Sequence, residues 1–149
     1  MEPDFGVLLA VAHATFTDRL HTHMHELGYA GFSTRTGFVL RILGPDSLSL
    51  REVADRLEVS SPAALKVVDA MERGGYVERV PAPGDRRVRA ISATALGHAA
   101  LAAARQFHVD FEESLGATAG RQLRQGLALI AGQASPAIPR VLRSPSPEM

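Results

Sequence analysis

The chain has no cysteine and no tryptophan, and only 5% of its residues are aromatic. Without cysteine, disulfides, thiolate metal sites and thiol-based redox sensing are excluded together. With few aromatics and 46% hydrophobic residues, the core must be built mainly from Ala, Leu and Val, which favours packed helices over a β-sandwich. No stretch of about 18 apolar residues occurs, so no membrane span is expected. The segment MEPDF carries acids and no basic region, so no secretory signal is expected there, and the plain expectation is a cytoplasmic protein. Net charge is also missing, because 16 basic residues meet 16 acidic ones. There is no global pull toward nucleic acid, and any positive face must be local. Lysine is nearly absent too: fifteen of the basic residues are Arg, and the single Lys is Lys66. Finally, there is no Gly-rich phosphate loop and no nucleophile elbow, so neither an enzyme nor a cofactor is expected.

What is present amounts to about one domain, 149 residues long. Asp4 is placed to cap a first helix, on which Phe5, Leu8, Leu9, Ala12, Phe16, Leu20, Met24 and Leu27 recur at spacings of three and four until Gly28. A helix that long in a small domain is rarely buried by its own chain alone. A second helix is expected from Thr34 to Leu43, with Phe38, Val39, Ile42 and Leu43 on its apolar face, and GPDS breaks it. Leu50, Val53, Ala54 and Leu57 then fit a short helix. Ser60 or Ser61 caps the next one, with Pro62 acceptable in its first turn. Ala64, Leu65, Val68 and Met71 are expected to point inward from that helix, and Pro62, Ala63, Lys66, Val67 and Ala70 outward.

Gly74 or Gly75 supplies the left-handed residue that ends it. Tyr76–Val80 and Arg87–Ser92 read as two strands around the turn PAPGD, a hairpin. Thr94 caps a long helix through Leu115 with Leu96, Ala100, Ala103, Phe107 and Phe111 along one face. Gly116 interrupts it, Thr118 recaps, and Leu123, Leu127, Ile130 and Ala134 form a last stripe. Prolines 136, 139, 145 and 147 argue against further regular helix, and a disordered tail is expected over 143–149. No internal repeat is found.

Two helices across a tight turn, followed by a hairpin, have the order of a winged helix-turn-helix, whose second helix meets base edges in a DNA groove. On the outer face only Ser60, Ser61 and Lys66 are good hydrogen-bonders, while Pro62, Ala63 and Val67 offer apolar contact such as with thymine methyls. Base readout is therefore expected to be modest, with shape and backbone contacts contributing much of the affinity. Positive charge gathers in the hairpin, where Arg79, Arg86, Arg87 and Arg89 stand against Glu78 and Asp85. A tip bearing Arg beside Pro and Gly suits a narrow minor groove or its phosphates. Asp85 is expected to pair with one of the arginines and fix the turn.

The run LREVADRLEVSSPAALKVVDAMERGGYVERVPAPGDRRVRAISATALG, Leu50 to Gly97, resembles the MarR family of bacterial transcriptional regulators. Its helix-turn-helix, its Gly-Tyr-Val-Glu-Arg strand, its Asp-Arg-Arg wing at 85–87 and its Ser-x-Thr-x-x-Gly helix start carry the likeness, which covers about a third of the chain closely. The flanking helices extend it over most of the rest. The resemblance implies a mainly α fold with a small β-hairpin wing: a winged helix-turn-helix over 33–93 and flanking dimerisation helices over 1–32 and 94–142. It implies a homodimer formed by the first and last helices, with Leu20 and Leu127 at the interface. It implies a repressor on double-stranded DNA at a pseudo-palindromic promoter site, relieved by a small-molecule effector held between the two parts. Carried over by position, the wing arginine falls on Arg87 with Arg86 beside it and Arg89 following, and the recognition-helix contacts fall on Ser60, Ser61, Ala63, Lys66 and Val67. The sequence departs from the family pattern in a less polar recognition helix, in Ala93 where Leu is customary, and in a short C-terminal helix. A winged-helix module that binds protein and not DNA is the alternative, kept open by that weakly polar helix.

Two further groups remain. His21 and His25 in HTHMH share a helix face near Glu26, the spacing of two metal ligands, though a plain polar helix face explains them more simply and two ligands do not make a site. For an effector, His13, Phe16 and Arg41 on the first two helices, with Phe107 opposite, are candidates to line a cleft, and ordinary core or surface is the simpler account of most of them.

Overall fold

The computed structural model describes residues 1–132. Its helices are α1 (Phe5–Glu26), α2 (Thr34–Leu43), α3 (Leu50–Leu57), α4 (Ser61–Arg73), α5 (Ala95–Ser114) and α6 (Ala117–Ala131), and its strands are β1 (Ser47–Leu48), β2 (Val77–Ala82) and β3 (Asp85–Ala93). Side-chain hydroxyls start α2, α3, α4 and α5. Ser33 and Thr36 form a reciprocal capping box on α2, and Ser49 and Glu52 one on α3, with Ser49 N donating to Glu52 Oε2 at 2.8 Å. Ser60 Oγ accepts the Ala63 N–H at 3.3 Å to cap α4, and Thr94 Oγ1 accepts the Gly97 N–H at 3.0 Å to cap α5. The two outer helices are started differently. Asp4 sits at the N-cap of α1 without a side-chain bond, and α6 begins at Gly116, with φ 88°, and not at a Thr118 cap.

Between α3 and α4 the chain turns through Glu58, the one described non-glycine residue with positive φ, at 54°. That left-handed step reverses direction within three residues and sets α4 across α3. Gly75, at φ 81°, ends the α4 region, while Gly74 stays in a right-handed conformation.

GPDS does more than end α2. Ser47 and Leu48 pair antiparallel with Ser92 and Ile91, adding a third strand to the expected hairpin in the order β1-β3-β2. A two-residue strand carries almost no periodic signal, which is why the pairing is invisible in the sequence. The hairpin turn is also tighter than PAPGD suggests, with only Pro83 and Gly84 between the strands.

One core joins these parts. Val39, Leu40 and Leu43 of α2, Val53 and Leu57 of α3, Val68 and Met71 of α4, Val77 and Ile91 of the sheet, and Ala100, Leu101 and Ala104 of α5 are buried together. Leu20 and Met24 are the only buried residues of α1. Leu20 therefore belongs to the chain's own core and is not available as an interface residue. Of the other apolar residues on α1, Phe5, Leu8 and Val11 are exposed, Leu9 is half-buried and Phe16 packs against the core, and on α6 only Gly120 is buried while Leu123, Leu127 and Ile130 are exposed. Leu96, expected on the inner face of α5, is exposed as well and lies beside Gly75. Ala134 and the tail 143–149 lie outside the described residues, as does the end of the 94–142 segment.

The closest backbone approach is where α5 begins. Thr94 Oγ1 donates to Gly75 O at 2.5 Å, Thr94 N donates to Tyr76 O at 3.0 Å, and Tyr76 Oη donates to Ala30 O at 2.7 Å. A Cβ on Gly97 would collide with the Tyr76 carbonyl oxygen. Gly97→Ala is expected to destabilise the protein by about 3 kcal/mol, the upper end of typical overpacking costs, read as a lower urea midpoint at unchanged slope.

Candidate nucleic-acid interface

Because Ala64, Val68 and Met71 face inward, a 100° advance per residue decides what the rest of α4 shows. Ser60, Ser61 and Lys66 are exposed as expected. Ala63 and Val67 are half-buried, and Val67 packs against the core, so these two stand at the edge of the outer face and not at its centre. Leu65 reverses its expected direction. It stands roughly a quarter turn away from the inner stripe and is 39% exposed, beside Ser61, Pro62 and Lys66. Apolar type alone assigned it to the core, whereas helix angle assigns it to the surface.

Charge on this face is set by Arg79. From β2 its guanidinium reaches back to α4, with Nη2 2.7 Å from Asp69 Oδ1 and Nη1 2.5 Å from Glu72 Oε1. These bonds push the Arg79 pKa up, the Asp69 bond contributing most. Arg79 is thus committed to its own fold and is not a free wing cation, which corrects its grouping with the wing arginines. In exchange, both carboxylates on that side of α4 are hydrogen-bonded, and their combined charge is halved.

The wing itself is irregular. Pro81 pairs with Arg89 and the next residue, Ala82, pairs with Asp85, so Arg86, Arg87 and Val88 have no opposite residue on β2. The extra residues bulge from the ladder, as strands do where they re-aim side chains. Arg86, Arg87 and Arg89 are exposed, and among the described residues no carboxylate lies within 4.0 Å of their guanidinium groups. Asp85 does fix the turn, though not through a guanidinium: its Oδ1 accepts the Arg87 backbone N–H at 3.0 Å. Three arginines are left facing outward at a bent tip.

A second cluster lies between α1 and α5. Phe16 meets Phe107 at 5.6 Å between ring centroids, Phe111 edge-on at 4.9 Å and His108 at 4.9 Å, and His23 meets Phe107 at 5.2 Å. Arg41 lies 6.0 Å over Phe38 and close enough to His108 to act on it electrostatically. Phe16, Arg41 and Phe107 are therefore gathered in one region. His13 is exposed one turn before Phe16 and, among the described residues, makes no ring contact with the cluster. Phe111 lies beside Phe107 on the expected apolar face of α5, but the sequence marks neither it nor His108 for a cleft, because a His and a Phe on a long helix carry no distinguishing spacing. His21 Nε2 lies 3.5 Å from Thr34 Oγ1, and among the described residues no third potential ligand gathers with His21 and His25. No described helix is long and apolar enough to cross a membrane.

Comparison with known proteins places the architecture. Residues 31–88 match the family model described as the MarR family. The reduced form of MarR from E. coli superposes with a TM-score of 0.65 at 22% identity, covering 87% of this chain and 98% of that one. CouR from Rhodococcus jostii RHA1, bound to p-coumaroyl-CoA, gives 0.60 at 25% identity over 89% of this chain and 94% of its own. A mutant of MepR from S. aureus bound to an oligodeoxyribonucleotide gives 0.61 at 17% identity over 90% and 100%. No curated protein sequence matches. At these identities the structural likeness establishes the fold, a winged helix with flanking helices.

The cluster around Phe16 generates a pH prediction. Partial withdrawal from water, and then the positive charge of Arg41, push the His108 pKa below its ordinary 6.5. The unfolded chain therefore binds this proton more readily than the folded one. Stability is expected to be full above about pH 6.5, to fall as pH drops through that value, and to level off below the folded pKa. Urea unfolding from pH 7.5 to 5.0 tests this, and His108→Phe should flatten that part of the profile.

Proposed function

We propose that the chain, whose residues 31–88 match the MarR family model, is a DNA-binding transcriptional regulator of that family and not an enzyme: a cytoplasmic repressor acting as a homodimer on a pseudo-palindromic promoter site. In this reading α4 enters the major groove through Ser60, Ser61, Ala63, Lys66 and Val67, and the wing meets the minor groove through Arg86, Arg87 and Arg89. The observation that carries it is the charge arrangement. In a chain of net charge zero, Arg79 ties down Asp69 and Glu72 of α4, while Arg86 and Arg87 stand exposed on the wing bulge with Arg89 exposed next to it on β3. Local positive potential beside a protruding helix is what a phosphate backbone selects.

Dimerisation through 1–32 and 94–142 is supported by the apolar residues that α1 and α6 leave in water, Phe5, Leu8 and Val11 on one and Leu123, Leu127 and Ile130 on the other. Exposed apolar residues repeated along a helix face are the pattern of an association surface. A twofold dimer presents two copies of α4, hence the pseudo-palindrome. Release by a small molecule is supported by the cluster of Phe16, Phe107 and Arg41 between α1, α2 and α5, aromatic faces beside a cation; His13, exposed one turn before Phe16, is proposed as a further contact. CouR, of the same fold, is bound to p-coumaroyl-CoA.

A mobility-shift titration against duplex from the gene's own upstream region tests the reading. Specific binding well above that of random duplex at moderate salt is expected. Equal binding to both would overturn the regulator reading and leave a protein-binding winged helix in its place. Replacing Arg86 and Arg87 with Ala is expected to weaken binding to all sequences and make the salt slope shallower, by about one unit for each phosphate left without its arginine; an unchanged slope removes the wing from the interface. Leu127→Asp is expected to convert the dimer to a folded monomer in sedimentation and to abolish tight binding to the full site.

A further inference from the structure

Leu65 is the one large apolar side chain on the exposed face of α4, and nothing in its own fold accounts for its position. It is 39% exposed, in the second turn of the helix, between exposed Ser61 and Pro62 on one side and Lys66 on the other. A lone surface leucine is ordinary. This one differs in its surroundings. The neighbouring outer-face residues Ser61, Pro62 and Ala63 are small, so Leu65 and Lys66 are the side chains that stand out furthest near the start of the helix. Asp69, one turn further along, would repel a polyanion, but Arg79 holds it at 2.7 Å.

We propose that Leu65 is a specificity-determining residue that reads thymine by packing on its C5-methyl group in the major groove. The proposal rests on the DNA-binding reading above and adds to it the residue and the base. Thymine's methyl is the one apolar group a base presents in that groove, and it distinguishes A·T from the other pairs without a hydrogen bond. A leucine has no donor or acceptor, so its contribution is removal of methyl surface from water, worth about a fourfold change in affinity per methyl group. It also answers how a recognition helix with few polar side chains selects sequence.

The test begins with duplexes recovered by the wild-type protein from a random library. Affinities of the wild type and Leu65→Ala are then measured by fluorescence anisotropy on the selected site and on versions carrying deoxyuridine for thymine, one position per half-site at a time. The expected result is one thymine per half-site whose replacement weakens the wild type by about fourfold for each half-site changed and leaves Leu65→Ala unaffected. Leu65→Ala should keep the wild-type salt slope and helical circular dichroism, because Leu65 contributes neither charge nor core packing. Equal sensitivity of both proteins at every thymine, or sensitivity of neither, overturns the proposal while leaving DNA binding intact. If no sequence is enriched from the library, sequence-specific binding itself fails, and the role of Leu65 with it.

Discussion

The junction at Tyr76 holds the reader to the rest of the molecule. Within two residues the chain ends α4, starts the wing and receives the beginning of α5. Gly75 O and Tyr76 O accept from Thr94, whose hydroxyl also caps α5, and Tyr76 Oη reaches back to Ala30 in the loop after α1. Each group is a backbone carbonyl or a capping hydroxyl at an element end, where an unmet partner costs most. Gly97 permits the approach because it has no Cβ. Recognition helix, wing and long helix thus share one origin, and a change in the direction of α5 cannot leave α4 and the wing where they were.

Arg79 makes the second fixed relation, between wing and α4. The ion pairs with Asp69 and Glu72 are partly exposed, and pairs of that kind contribute little to stability. Their importance is electrostatic placement. One arginine on β2 ties down two acids on α4, so Arg86, Arg87 and Arg89 are not drawn back onto the protein. The distinction between a structural arginine and an outward-facing one rests on two steps of strand register, not on composition.

Much of this architecture is legible in the sequence because capping hydroxyls and three-four apolar spacing are local signals. Ser60 and Thr94 cap helices where their positions suggest, and the helices expected from Thr34 and Leu50 begin there, behind Ser33 and Ser49. The misses share one cause, that burial depends on partners distant in sequence. Leu65 and Leu96 are apolar but fall on faces that no other element covers, whereas Leu20 fills the chain's own core. Thr118 has the chemistry of a cap, yet Gly116 takes the position because its left-handed φ turns the chain there. The candidate site was readable to the level of helix and wing. Which arginines are free was not, since the sequence does not show that Asp69 and Glu72 lie under β2.

The helix α6 shows how far the chain's own contacts reach. Its one buried residue is Gly120, where a Cβ would press on the Glu112 carbonyl of α5, and its charged tie is the exposed Arg124–Glu112 pair, with Nε 2.7 Å from Oε1. Neither is a strong restraint: an ion pair in water contributes little to stability, and a glycine contact buries little apolar area. Yet α6 runs 15 residues with Leu123, Leu127, Leu129 and Ile130 in water, and α1 shows the same imbalance over Phe5, Val7, Leu8 and Val11. Helices acquire most of their stability by burying an apolar face, and within one chain α6 buries only Gly120 and α1 only its later turns, around Phe16, Leu20 and Met24. The proposed dimer would supply the missing surface to both helices, and it would act on α4 through α5, whose N-terminus is fixed at Tyr76. On that reading, association and the aim of the recognition helix depend on the same helix.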